Sequence, residues 1–181
     1  MNNRKNLGLL MVGSLALALA FLLSCGDDRP TEPSDDTTTP VVSLISNSSC
    51  KNFFDPYSPI DRAYECIDWS YGGDGVLMLN HINAGFNCCV TSLTTDLTVA
   101  NKVIVIDEGE NLDNGGCHCL CLYDLEMMVS PLSEKKYTFL IIGPYMDDES
   151  TTTLDYVLFT IDLSSETEGT YCVQRSQYPW D

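Results

Sequence analysis

Between Gly115 and Asp124 the chain reads GGCHCLCLYD, which sets Cys117, Cys119 and Cys121 at alternate positions; upstream, NCCV places Cys88 beside Cys89. This pattern constrains the fold more than any other feature. Three cysteines at period two share one face if the segment is a strand, and neighbours at i and i+2 then lie about 7 Å apart, at the limit of disulfide reach. They are therefore expected to bond outward, to other segments. A metal site is the competing use. Cys117, His118, Cys119 and Cys121, with His81, have ligand chemistry suited to Zn²⁺ or Cu⁺. Structural zinc sites, however, favour C-x₂₋₄-C turns, and here the spacing is a single residue, with His118 facing away from its neighbours. No C-x-x-C at a helix start is present to suggest thiol–disulfide catalysis.

The compartment decides between staples and ligands. The chain opens MNNRKNLGLLMVGSLALALAFLLSCGDD, with Arg4 and Lys5 ahead of an apolar run from Leu7 to Leu23. The run is short and flanked by charge on one side, as in a signal peptide. Its end, Leu22-Leu23-Ser24-Cys25, resembles the lipobox of bacterial lipoproteins. That resemblance implies cleavage before Cys25, a diacylglycerol group on its sulfur, and a stable lipid anchor in the envelope membrane. Gly26 in place of an Asp after the lipidated cysteine favours the outer membrane in that family.

Residues 1–24 are thus expected to be a signal peptide and 25–43 a lipidated tether. Gly26–Ser43 holds three prolines, five acidic residues and four threonines, too little apolar surface for a core. Fully extended, it reaches roughly 60 Å. Asp36-Thr37-Thr38 is similar to the O-glycosylation motif of some Bacteroidetes envelope proteins. Asn47-Ser48-Ser49 fits an N-glycosylation pattern to which a bacterial chain gives no weight. Residues 44–181 have the size of one domain. The formal net charge is −17; the first 24 residues hold two basic and no acidic groups, so the remainder carries −19. Such a chain repels nucleic acid. The expected partners are the membrane, through the lipid, and an envelope protein or a glycan.

The chain has nine cysteines. With Cys25 given to lipid, the other eight are Cys50, Cys66, Cys88, Cys89, Cys117, Cys119, Cys121 and Cys172. An even number in an oxidising compartment reads as four disulfides, for which eight cysteines allow 105 connectivities. Cys88 and Cys89 precede the segment TTDLTVANKVIVID and the 117–121 cluster follows it, so at least one bridge between them is expected. It would close a loop of roughly 30 residues, worth about 3 kcal/mol. Cys172 suits Cys50 or Cys66.

The body alternates at period two. CIDWSY places Ile67, Trp69 and Tyr71 on one face, and the turn Gly72–Gly75 joins it to VLMLNHI as a hairpin. SLTTDLTV puts Leu93, Thr95, Leu97 and Val99 on one face, and Val99–Lys102 turns into VIVID, which reads as a central strand buried on both faces. YTFLIIG, LDYVLFTIDL and TYCVQR supply three more strands, and Asp61–Cys66 is the one short helix expected. Leu132 and Tyr137 in PLSEKKYTFLI resemble the corner before a late strand in fibronectin type III and related immunoglobulin-like domains, where a tyrosine hydroxyl bonds back to nearby backbone. The expected fold is an all-β, antiparallel, disulfide-stapled immunoglobulin-like β-sandwich.

Catalytic motifs are lacking: G-x-S-x-G, H-E-x-x-H, Walker A and EF-hand patterns are all missing. His81 and His118 are the only imidazoles, and a surface or hydrogen-bonded strand histidine accounts for each. Asp107, Glu108, Glu110, Asp113 and Asn114 carry oxygens suited to Ca²⁺, although an acidic turn has the same composition. Tyr178, Pro179 and Trp180 close the chain, and a terminal Trp more often seals a core edge than contacts a partner. The expectation is an envelope lipoprotein acting as a non-catalytic binding or structural module, with no cofactor; the alternative is a Zn/Cu protein using Cys117, Cys119 and Cys121.

Overall fold

The computed structural model describes residues 38–51, 60–113, 115–145 and 156–175. Cys25, most of the tether, Asn114 and the Tyr178–Trp180 segment lie outside them. Nine strands follow in chain order: β1 (Val41–Asn47), β2 (Tyr64–Tyr71), β3 (Leu77–Asn87), β4 (Ser92–Ala100), β5 (Val103–Asn111), β6 (Leu120–Ser130), β7 (Lys136–Ile142), β8 (Val157–Asp162) and β9 (Glu168–Gln174). They form a five-stranded sheet, β1-β6-β3-β2-β9, and a four-stranded sheet, β4-β5-β7-β8. The fold is all-β, with no helix among the described residues.

Alternation explains how the sheets share a core. Leu79 and Met127 project from the first sheet, Ile106, Phe139, Ile141 and Ile161 from the second, and all are sealed from solvent in one cluster. The β2–β3 hairpin forms as expected, with Ile67 and Tyr71 buried and Trp69 packed against the core. The β4–β5 hairpin turns at Asn101 and Lys102, with φ of 50° and 66°. Two left-handed residues in succession make the turn whose twist matches paired strands.

Several expectations are corrected. Asp61–Cys66 is not helical. The Asp61 side chain accepts the Ala63 N–H at 3.0 Å and its carbonyl accepts the Tyr64 N–H at 2.9 Å, a tight turn that delivers Tyr64 directly into β2. VIVID is central, between β4 and β7, but only one face is buried: Ile104 and Ile106 point inward, while Val103 is 36% exposed and Asp107 lies on the solvent side. Val41, Val42 and Ser43, expected within the tether, belong to β1, which pairs with β6 from Val41↔Ser130 onward. Nor is the pairing wholly antiparallel, since β5 and β7 run parallel. Between them the chain crosses to the other sheet as β6, so β7 returns beside β5 in the same direction.

Two details shape the site end. A bulge interrupts β3 between His81 and Ala84, with Asn83 at φ 65°. Asparagine tolerates this left-handed conformation better than most residues. The extra residue shifts the inward set from Leu77, Leu79 and His81 to Ala84 and Phe86, which open a second, smaller cluster with Leu93 and Tyr123. At the corner before β7, the Tyr137 hydroxyl accepts the Ser133 N–H at 3.3 Å, and Leu132 and Tyr137 are both buried.

Candidate functional site

The chain crosses between sheets at β3→β4 and returns at β5→β6, and both connections carry cysteines. Cys88 bonds Cys119, Cys89 bonds Cys117, Cys50 bonds Cys121, and Cys66 bonds Cys172. All eight cysteines beyond Cys25 are therefore paired, and Cys117, Cys119 and Cys121 each bond to a distant segment. Both members of the Cys88-Cys89 pair reach the cluster. Cys172 takes Cys66, directly opposite it across β2 and β9.

The expected single-face arrangement does not form. β6 starts at Leu120, so only Cys121 sits in a strand; Cys117 and Cys119 belong to the connection before it. Asn87 is the reason. Its side-chain Oδ1 accepts the N–H of Cys89 and of Cys117, each at 3.0 Å, and its Nδ2 donates to the Cys117 carbonyl at 2.7 Å. Its backbone N–H donates to Glu110 Oε2 at 2.7 Å, and its carbonyl accepts the Tyr123 hydroxyl at 3.3 Å. Glycine at 116 suits the close approach: an added Cβ would stand 3.2 Å from Asn87 Nδ2 and from Leu112 Cδ1, and one of them would have to give way. A buried amide with its polar groups engaged thus acts as a mould for the loop. Cys88 N–H adds a bond to the Cys119 carbonyl at 3.2 Å.

Around this mould the Sγ atoms of Cys88, Cys89 and Cys117 lie within 4.8 Å of one another. The group that comes together is not the expected Cys117/Cys119/Cys121 set, because Cys121 is in β6 and bonded to Cys50. Cys89, Cys117, His118 and Cys119 are exposed, whereas Cys66 and Cys121 are buried. The Glu110 carboxylate beside Asn87 also accepts the Tyr145 hydroxyl. Desolvation first, and Glu110 second, push the Tyr145 phenol up to about 12.

A second constellation lies between the sheets. His81 Nδ1 is 2.8 Å from Glu108 Oε1, and His81 Nε2 is 2.8 Å from Glu65 Oε1. Glu65 Oε2 accepts the Arg175 Nε–H at 2.6 Å and also pairs with Arg175 Nη2. His81 and Glu65 are wholly buried, and Glu108 is nearly so. Burial alone would lower the imidazole, but the two carboxylates, Glu108 foremost, outweigh it and hold its pKa at about 10. Burial also opposes ionisation of Glu65; the bonds from His81 and Arg175 prevail and keep its pKa below the ordinary value. The imidazolium therefore donates through both ring nitrogens. Two anions and two cations form a neutral chain from β2 through β3 to β5, tying one sheet to the other. All four side chains are sealed from solvent or nearly so.

His81 is the hydrogen-bonded strand histidine expected. Its partners escaped the sequence reading, although the signal was present: Glu65 shares the parity of Ile67, and Glu108 that of Ile104 and Ile106. The same alternation disperses the acidic set proposed for Ca²⁺. Glu108 points into the core, Asp107 to the opposite face, and Glu110 to Asn87 and Tyr145. Comparison with family models, with curated proteins and with solved structures finds no match.

Proposed function

We propose that the chain is a lipid-anchored protein of the bacterial cell envelope, at the outer membrane, working as a non-catalytic binding or structural module for an envelope protein or glycan. The observation that carries this reading is the cysteine arithmetic. Eight cysteines close four disulfides, and the ninth, Cys25, stands where the lipobox-like end of the apolar run would receive lipid. A disulfide-rich small domain suits an oxidising compartment, and an acidic tether holds such a domain off an anionic surface. An immunoglobulin-like architecture is supported by the Tyr137 corner and the two facing sheets; the parallel β5–β7 pair sets it apart from a wholly antiparallel member. The test is metabolic labelling with an alkyne fatty acid. The wild-type chain should take the label and fractionate with membranes, and Cys25→Ala should take no label and keep residues 1–24. Label that persists in Cys25→Ala, or a wild-type chain that stays unlabelled and soluble, overturns the reading.

A further inference from the structure

We propose that the end of the molecule built on Asn87 is a redox-gated metal site: reducing Cys88–Cys119 and Cys89–Cys117 yields four thiols that together take one thiolate-seeking, tetrahedral cation of the zinc class. Three observations meet here. First, the sulfurs are already gathered. Cys88, Cys89 and Cys117 Sγ lie within 4.8 Å of one another, and Cys119 is bonded to Cys88. On a tetrahedral ion with Zn–S of about 2.3 Å, sulfurs sit roughly 3.8 Å apart, so once the two S–S bonds are opened the formerly bonded partners swing apart and the unbonded sulfurs draw together around the ion.

Second, the backbone that carries them does not depend on the disulfides. The Asn87 side chain holds the amides of Cys89 and Cys117 and the carbonyl of Cys117, and the Cys88 N–H holds the Cys119 carbonyl. Opening the S–S bonds frees side-chain rotation but leaves this frame in place. Third, access is selective. Cys89, Cys117 and Cys119 are exposed and Cys88 is half-buried, while each of the other two disulfides joins one exposed cysteine, Cys50 or Cys172, to a buried one, Cys121 or Cys66. An external thiolate therefore meets the adjacent pair first.

The chemistry balances with a dithiol as reductant. Two dithiol molecules give up four electrons and four protons, becoming two cyclic disulfides, and the protein gains four S–H groups. Zn²⁺ then replaces the thiol protons, which leave to solvent as four Zn–S bonds form.

The test uses the mature chain purified in its oxidised form. It is titrated anaerobically with a dithiol, given Zn²⁺ alone, and read by native mass spectrometry, circular dichroism and alkylation mapping. The oxidised chain should retain no zinc. The partly reduced chain should stay folded and retain one Zn²⁺, with Cys88, Cys89, Cys117 and Cys119 protected from alkylation. Cys88→Ser/Cys119→Ser should lose that retention. Asn87→Ala should weaken it by about 10–100-fold, as removal of an outer-shell partner does. Four free thiols on a folded chain without zinc, protection falling on other cysteines, or unfolding on reduction of these two bonds would each overturn the proposal.

Discussion

The cystine-clamped end extends the β3–β6 pair of one sheet, whereas the buried charge relay ties that sheet to the other, and the two are opposites in construction. At the end, two covalent bonds and a moulded loop lie in solvent, indifferent to pH and open to reductant. In the middle, Glu65, His81, Glu108 and Arg175 are sealed in, beyond the reach of reductant and wholly dependent on protonation. A small β domain can thus secure the end of one sheet and the contact between its two sheets by mechanisms that do not fail together. The clamp acts chiefly on the unfolded chain by closing loops, whereas the relay acts on the native state through paired charges.

The largest effect should come from breaking the relay. His81→Ala leaves Glu65 and Glu108 buried without their shared cation, and unfolding in urea should show a loss of about 3–5 kcal/mol. The double variant His81→Leu/Glu108→Leu removes charge from both sides, and most of that loss should return. If the double variant is as unstable as the single, shape rather than charge holds this region.

Next comes the clamp. Replacing Cys88, Cys89, Cys117 and Cys119 together by Ala should cost about 3–4 kcal/mol, the loop-closure value for separations of 31 and 28 residues. Removing only Cys89 and Cys117 should cost about 1 kcal/mol or less, because Cys88–Cys119 still closes almost the same loop. Equal costs for one bond and for both would refute this redundancy.

Acidity separates the two regions further. His81 has an ordinary pKa of 6.5 and a folded value of about 10. Its contribution is fully present below pH 6.5 and is lost as pH climbs through 10. Between pH 7 and 9 the wild-type chain should therefore lose about 2–3 kcal/mol, measured by urea unfolding at each pH. His81→Leu/Glu108→Leu should show a much flatter profile. Glu65 works in the other direction: its folded pKa is lowered, so its contribution is present above 4.5 and fades as pH falls below that value. The smallest effect belongs to the corner. Tyr137→Phe removes the hydroxyl that bonds Ser133 and should cost about 1 kcal/mol by the same assay.

Much of this architecture was legible in the sequence where one physical signal dominated. Period-two alternation located β2, β3, β4, β7, β8 and β9, the apolar run VIVID located β5, and the two positive-φ residues fall within the turn expected at Val99–Lys102. The spacing of Cys117, Cys119 and Cys121 excluded bonds among them, and the structure agrees. Legibility ended where a long-range contact overrode the local pattern. Asn87, about thirty positions upstream, holds the Cys117 backbone in the connection before β6, out of the strand that its alternation suggested. β5 shares its pairing with a strand that returns only after a crossing, so its parallel neighbour has no local signature. Glu65 fell within the helix expected at Asp61–Cys66 and Glu108 within the acidic set suited to Ca²⁺, so neither stood out as an inward strand position; His81, with Arg175 at Glu65, offsets their burial.

The most direct measurement is disulfide mapping of the mature, oxidised chain by non-reducing digestion and fragmentation that separates Cys88 from Cys89. The expected result is Cys88–Cys119 and Cys89–Cys117, with Cys50–Cys121, Cys66–Cys172 and no free thiol among the eight. Bonds within 117–121, the exchanged pairs Cys88–Cys117 and Cys89–Cys119, or free thiols in the loop would contradict the Asn87 mould on which the account of this end rests.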